Sequence, residues 1–384
     1  MSLKMVPPGF IPCFLGQFAF SSVFFMLLPT IPVYLARLGM TEAGIGVQVG
    51  ALSVSSLILR PLVGRALLKI PETNFMMAGA VIFALSSVTY LVAKPFWPLF
   101  MLRVFQGIGL AFFATAAFTF ITRISPEAHR GQTFGYFYLS INTAFALAPM
   151  FGLFVMNRFD FTVFFLICTG LSLFSLFVIQ RIGKTQGVPI EDPSPRPPLL
   201  CREAIPPAIV SSMGNMGWGA VMAFFPLYAL QQGVANPGLF FAVYAAILIL
   251  GRGLGGKILD YHTRERVILP CLAIQSTAMA ILSQSTTMRM FVVVAVVWGM
   301  GNAFLYPSLV AYTLDQAGSL RGPAMGTYLA LADLGTGLGS VIMGAIVQWT
   351  DYPTMFLCLA LTGLINLLYF KISVSRRGVR YANL

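Results

Sequence analysis

Three properties of this 384-residue sequence predict one fold class: an all-α membrane protein whose twelve transmembrane helices form two pseudo-symmetric six-helix bundles. The first is composition. Hydrophobic residues make up 58% of the chain and charged residues 9%, and the mean hydropathy is +0.84; that leaves too little polar surface to cover a soluble globule. The second is the placement of charges and Pro/Gly breaks, which cut the chain into apolar runs near the roughly 20 residues a spanning helix needs. The third is an internal echo. Arg60-Pro-Leu-Val-Gly64 returns 192 residues later as Arg252-Gly-Leu-Gly-Gly256, and Gly107-Ile-Gly109-Leu-Ala111 returns at the same offset as Gly299-Met-Gly301-Asn-Ala303. Arg130-Gly and Arg321-Gly, and Pro32-x-Tyr34 and Pro226-x-Tyr228, repeat with small slips. A tandem duplication of apolar units points to two bundles facing a central site, the arrangement of a secondary transporter.

The expected spans in the first half are 9–35, 43–66, 74–93, 96–121, 132–157 and 161–182. The second half carries 205–232, 237–259, 267–285, 288–313, 323–349 and 353–373. Almost every gap between them holds a charge, so the count rests on the gaps more than on the exact ends. Residues 184–207 break the pattern with seven prolines and mixed charges, a composition that favours an extended, solvated tether. The expected organisation is therefore an N-terminal bundle over 1–183, a cytoplasmic linker over 184–204 and a C-terminal bundle over 205–384.

A net charge of +12 would suggest a nucleic-acid partner in a soluble protein. Its distribution explains it otherwise. With both termini placed in the cytoplasm, seventeen Lys and Arg lie in cytoplasmic segments, whereas the opposite loops hold only Arg37, Lys94, Arg158 and Arg289. The positive-inside rule then orients the chain with both termini cytoplasmic in a cell's inner (plasma) membrane, and nucleic acid is not expected as a partner. The first apolar run is too long for a cleavable leader and lacks a small-residue cleavage site, so it reads as an uncleaved first span. Cys13, Cys168, Cys201, Cys271 and Cys358 are scattered and odd in number, and His129 and His262 sit in loops without clustered acids or thiols. Neither a disulfide framework, a metal nor a cofactor is expected. No nucleophile–base pair and no GxxxxGK[ST] loop is present, which argues against an enzyme and against a self-contained ATP-driven pump.

Six plus six spans, Arg60-Pro-x-x-Gly64 at the end of span two, Arg103-x-x-Gln106-Gly107-x-Gly109-x-Ala111 in span four and a proline among small residues in span five resemble the major facilitator superfamily, in particular its twelve-span efflux branch. The resemblance covers essentially the whole chain. It implies a motif in the loop after span two whose acid and neighbouring bases latch one conformation. The second half keeps Gly256 and Asp260 of that motif, while the first half keeps Gly64 and has Leu68 in place of the acid. Arg60 and Arg252 are read either as gating residues or as side chains that snorkel to the interface. Ala144-Phe-Ala-Leu-Ala148-Pro149-Met-Phe-Gly152 resembles the family's antiporter pattern with Ala for two glycines. Its proline removes a helix hydrogen bond, and its small residues permit close contact with a neighbour from the other half, a geometry that suits a hinge or simple helix packing.

Asp333 lies about ten residues into span eleven, which at ~1.5 Å per residue is near the bilayer midplane, and it is the only carboxylate at that depth. Such a group is costly unless paired, solvated or protonated, and is by default a functional candidate. Proton coupling through Asp333, with Arg103 as the buried cation of span four, competes with a structural hydrogen bond and is favoured, because Ser or Asn would serve structure at lower desolvation cost. If the family architecture applies, the substrate site lies between the repeats and is lined by the first and fourth spans of each half. Aligning the halves pairs Gln17 with Ser211, Ser21 with Asn215, Phe24 with Trp218 and Gln106 with Trp298, with Asn302 and Tyr306 following. Gln17 and Ser21, Ser211 and Asn215, and Asn302 and Tyr306 are each four apart and share helix faces.

Sparse polar groups among aromatics suit an amphiphilic or aromatic organic compound better than a sugar. The expected function is proton-coupled export of such a compound by a monomeric bacterial transporter that uses alternating access, with protons, the substrate and membrane lipids as its partners. A proton-independent lipid or amphiphile flippase or facilitator, or a transporter-like scaffold subunit of a membrane assembly, is the alternative. Leu68 and the lack of an acid in span one lean toward that alternative.

Overall fold

The computed structural model describes residues 9–67, 69–93, 96–125, 130–182, 200–261, 263–317 and 321–382. Among them are twelve α-helices, one 3-10 turn at Arg202–Ala204 and no strand. The first six helices are α1 (Phe10–Arg37), α2 (Glu42–Ala66), α3 (Glu72–Thr89), α4 (Phe96–Ile124), α5 (Arg130–Arg158) and α6 (Phe161–Gln180). The second six are α7 (Ile205–Gln231), α8 (Gly238–Tyr261), α9 (Arg264–Ser283), α10 (Met288–Ala317), α11 (Arg321–Trp349) and α12 (Tyr352–Ala382). Each coincides with one expected span, and α12 alone runs well past its expected end at residue 373. Ten of the described helices are long and apolar enough to cross a membrane; the described apolar stretch of α8, Gly238–Arg252, is shorter. Of the expected linker 184–204, residues 184–199 lie outside the described ones, and 200–204 are ordered ahead of α7, with the 3-10 turn at Arg202–Ala204 and Cys201 N–H donating to Thr327 Oγ1 at 3.0 Å.

The chain divides into two compact units, Met1–Leu38 with Ala51–Asp192, and Gly39–Gly50 with Pro193–Leu384. A cut at the linker alone would not produce this division, because the first part of α2 groups with the second unit. Small residues account for that. A Cβ on Gly46 would collide with the Ser340 carbonyl, and one on Gly50 would come within 2.7 Å of the Val341 side chain and 3.0 Å of the Gly337 carbonyl. Ala43 N–H also donates to Gln348 Oε1 at 3.3 Å.

Within the first unit α1 packs on α5 and α6, and α3 packs on α4 and α6. Within the second unit α7 packs on α11 and α12, and α9 packs on α10 and α12. The contacts repeat six helices on, and the echoes in the sequence make them. A Cβ on Gly107 would run into Ser55 and Leu52 of α2, and one on Gly109 would lie 2.8 Å from Ile82 of α3. Gly299 meets Ile247 of α8 at 2.9 Å and Gly301 meets Ile274 of α9 at 3.1 Å in the same sense. Each Gly-x-Gly thus lets one helix touch two neighbours at backbone distance.

The Pro-x-Tyr echo has an equally definite role. Tyr34 OH donates to the Tyr90 carbonyl at 2.9 Å, and Tyr228 OH donates to the Ser285 carbonyl at 2.6 Å. In both units a tyrosine near the end of the first helix therefore satisfies a carbonyl that the end of the third helix leaves open. Gly39 and Gly233, with φ of 78° and 79°, close α1 and α7 in the left-handed conformation that glycine adopts without penalty. Asp160 and Asp351 cap α6 and α12 by accepting from Val163 N–H and Thr354 N–H, each at 2.8 Å. The Thr354 hydroxyl and N–H hold the exposed Asp351 carboxyl below the usual carboxylate range.

Candidate functional site

The side chains singled out in the sequence divide between the two units. In the first unit, Gln17 Nε2 donates to Ser21 Oγ at 2.7 Å across one turn of α1, and both residues are buried. The helix-face pairing read from their spacing is therefore made. Gln17 Oε1 has no hydrogen-bond partner among the described residues. Phe24, a turn further on and half-buried, meets Phe25 edge-on at 5.1 Å.

Gln106 sits elsewhere. It is fully buried on α4, and its Oε1 accepts from Arg103 Nη1 and from Tyr90 OH, both at 2.9 Å. Arg103, 1% exposed, thus points with Gln106 toward α3, whereas Gln17 and Ser21 are held on α1. Tyr90 stacks on Phe165 at 5.0 Å, and its carbonyl is the one Tyr34 reaches. A guanidinium in the interior is held by a neutral amide and phenol network, since charge-assisted bonds of this kind stabilise a buried cation.

In the second unit, Asn215 Nδ2 donates to the Ser211 carbonyl at 2.8 Å and to Ser211 Oγ at 3.2 Å, so this pair also shares a face of α7. Trp218 stacks on Trp298 at 5.7 Å and lies 5.8 Å from Tyr244, which is itself 4.5 Å from Trp298. Asn302, 1% exposed, turns into the bundle. Its Nδ2 donates to Tyr244 OH at 2.9 Å, and its Oδ1 accepts from Gln275 Nε2 of α9. Tyr306, one turn on, is half-buried and close to Gly214.

Asp333 is half-buried on α11, in a stretch of small residues pressed against α7. A Cβ on Gly335 would collide with the Ser212 backbone, one on Gly339 with the Met216 backbone, and one on Gly219 with the Thr336 carbonyl. The carboxylate is therefore carried by a helix that has almost no freedom to shift along its neighbour.

Of the residues read as gating, Arg60 is half-buried and Gly64 is exposed on α2. A Cβ on Gly64 would meet no atom of the described residues within 4 Å, so none of the described helices approaches there. Arg252 is exposed on α8; the side chains of Gly256 and Asp260, and Leu68, lie outside the described residues. Pro149 is buried in α5. The close contact near it is made by Gly152, whose Cβ would lie 3.2 Å from Met26 of α1. The partner is in the same half, where the sequence suggested the opposite one.

Several polar residues escaped the sequence reading. Gln275 and Tyr244 complete the Asn302 network, Asn366 is buried in α12 and donates from Nδ2 to the Val210 carbonyl at 3.0 Å, and Glu72 pairs with Arg123 at 3.0 Å with both side chains largely buried. Polar side chains inside apolar runs were the available signal for Gln275 and Asn366. Glu72 lies just ahead of the expected start of span three at residue 74, where an acid gives no sign that it is buried.

Comparisons with known proteins agree on the class. The sequence profile of the Major Facilitator Superfamily matches residues 13–319 and, in a second register, 208–380. The Staphylopine export protein of Staphylococcus aureus is 26% identical over 349 residues, covering 85% of this chain and 86% of its own length. The Quinolone resistance protein NorA of Staphylococcus aureus is 24% identical over 337 residues, covering 84% and 85%. Among solved structures, the nucleoside transporter NupG superposes with a TM-score of 0.77 at 15% identity, over 97% of this chain and 99% of that one. The human organic anion transporter MFSD10 (TETRAN) gives 0.69 at 13% identity, over 95% and 100%.

Proposed function

Because the chain belongs to the major facilitator superfamily, and is on that ground a multi-pass membrane transporter and not an enzyme, we propose that it exports a small amphiphilic or aromatic organic compound across the bacterial inner membrane in exchange for protons, by alternating access. The outward direction draws support from relatives whose names are those of an export protein and a resistance protein. The seventeen-to-four basic asymmetry supports cytoplasmic termini.

The observation that carries proton coupling is Asp333. A carboxylate deep in an apolar helix costs on the order of 2.5–3.5 kcal/mol, and here the helix is locked against α7 by Gly335 and Gly339. Protonation removes the charge and substrate binding competes for the deprotonated form, which couples the two. In this reading Arg103 sets the field of the first unit. Gln17, Ser21, Phe24, Gln106, Asn215, Trp218, Asn302 and Tyr306 line the path, with Trp218 supplying an aromatic face and Gln17 Oε1 a free acceptor. Arg60, Gly64, Pro149, Arg252, Gly256 and Asp260 are the conformational residues. The transporter works as a monomer.

Asp333→Asn keeps the side chain's shape and cannot release a proton. In proteoliposomes with an imposed pH gradient, the variant should fold and lose gradient-driven transport of a fluorescent amphiphile. Undiminished transport would exclude Asp333 as the coupling group, and transport by the native chain that ignores the gradient would favour the flippase reading.

A further inference from the structure

The second unit contains a cavity of about 20 Å³ between α7, α9, α10 and α12. Gly214, Gly217 and Gly363 vacate its walls, and Trp298, Met279, Gln275, Ser276 and Asn366 line it. Asn366 is 1% exposed. Its Nδ2 is used on the Val210 carbonyl, while its Oδ1 has no hydrogen-bond partner among the described residues. Exchanging the two ends of the amide would set oxygen against the Val210 oxygen, so the orientation is fixed and the acceptor is left over. Gln275 spends one Nε2 hydrogen on Asn302, which leaves Oε1 as its acceptor. Ser276 spends its hydrogen on the Ala360 carbonyl at 2.6 Å. The buried side-chain atom left without a partner at the cavity is therefore an acceptor, Asn366 Oδ1, and a buried acceptor without a donor costs about 1–3 kcal/mol.

We propose that this cavity binds one water molecule, which donates to Asn366 Oδ1 and Gln275 Oε1. A site needs roughly 10–15 Å³ of such volume to admit one water, and 20 Å³ meets that for one water and is too small for an organic ligand. A bare cation would also accept oxygen ligands. The cavity's lining contains no carboxylate, however, and an uncompensated charge at this depth is far more costly than a neutral donor. With the water in place a continuous polar belt runs from Tyr244 on α8 through Asn302 on α10 and Gln275 on α9, across the water, to Asn366 on α12 and the Val210 carbonyl of α7. Five of the six helices of the second unit are then tied by neutral hydrogen bonds, without an ion pair. The water is a bound part of the unit and does not depend on what the protein transports.

Hydroxyl-radical footprinting of the purified full chain tests this, because radicals formed from a bound water oxidise the methionine beside it. Met279 lines the cavity, whereas Met222 and Met355 do not, and all three are under 5% exposed. Met279 should be oxidised several-fold faster than Met222 and Met355. Equal rates for the three would overturn the proposal. Asn366→Leu should bring the Met279 rate down to that of the other two; because the native comparison stands alone, a variant that fails to fold does not rescue the idea. Replacing sodium with choline should leave the melting temperature unchanged, and a sodium-dependent rise would overturn the proposal in favour of a cation.

Discussion

Tyr34→Phe and Tyr228→Phe each delete one hydroxyl and leave the ring in place. Tyr34 keeps its edge-on contacts with Phe161 and Phe165, and Tyr228 keeps its edge-on contact with Phe291 and its tilted one with Phe356. What is lost is the bond to the Tyr90 or Ser285 carbonyl, and both tyrosines are buried, at 7% and 1% exposure. Leaving a buried carbonyl unpaired costs about 1–3 kcal/mol. At roughly 2–4 °C per kcal/mol for a unit of this size, each variant should melt roughly 2 to 12 °C below the native protein. The two sites lie in different units and share no partner, so the double variant should show the sum of the single losses. Tyr→Ala at either site removes the ring as well and should cost more, about 3–5 kcal/mol by analogy with other aromatic truncations. Thermal unfolding of the purified proteins, followed by tryptophan fluorescence, reads the five variants side by side. If both Phe variants melt within a degree of the native chain while the Ala variants fall sharply, the repeated tyrosine serves packing alone and its hydroxyl is incidental.

Glycine substitutions should divide sharply by position. Gly335→Ala sets a methyl against the Ser212 backbone and should cut the yield of monodisperse protein in size-exclusion chromatography, whereas Gly64→Ala, with no atom of the described residues within 4 Å, should be tolerated; equal behaviour of the two would contradict the α7–α11 contact. Trp218→Ala and Tyr306→Ala should weaken binding of an aromatic substrate by tenfold or more with a smaller effect on melting, as titration of tryptophan fluorescence or of a labelled ligand can show; normal binding by both would place the cavity on other faces. Reporter fusions at either terminus and within 184–204 should score cytoplasmic, and a signal from the opposite side would reverse the orientation.

The helices were legible because their cause is one-dimensional. An apolar run bounded by charges has few ways to be anything but a spanning helix, and each expected span has its counterpart. The echoes were equally visible as patterns, yet their meaning was not. Nothing in Pro32-x-Tyr34 says that the hydroxyl will find a carbonyl 56 residues away, because that depends on where the third helix ends in space. Gln106 and Asn302 were chosen by alignment to face a substrate, and each turns to a partner on a neighbouring helix, α3 for one and α9 for the other. A helix has several buried faces, and sequence spacing says which residues share a face without saying which face looks where. Gln275 and Asn366 were missed for the complementary reason, since neither belongs to a repeated pattern and each announces itself only as an amide in an apolar run.

The tyrosine contacts and the Gly-x-Gly seams occur in both halves, while the acid and the buried guanidinium do not. Arg103 has Ala295 at its counterpart position 192 residues on, and the offset of 191 that relates Arg130 to Arg321 sets the neutral Asn142 of α5 against Asp333. The shared features are packing and hydrogen-bond contacts that hold helices together within a half, and the unshared ones are charges carried by one half each. A chain built from two first halves would inherit every seam and every tyrosine contact, and it would have no carboxylate at mid-helix in either copy. Each half can thus be assembled by one common set of contacts, and the two halves are made unlike by the charge that each alone carries.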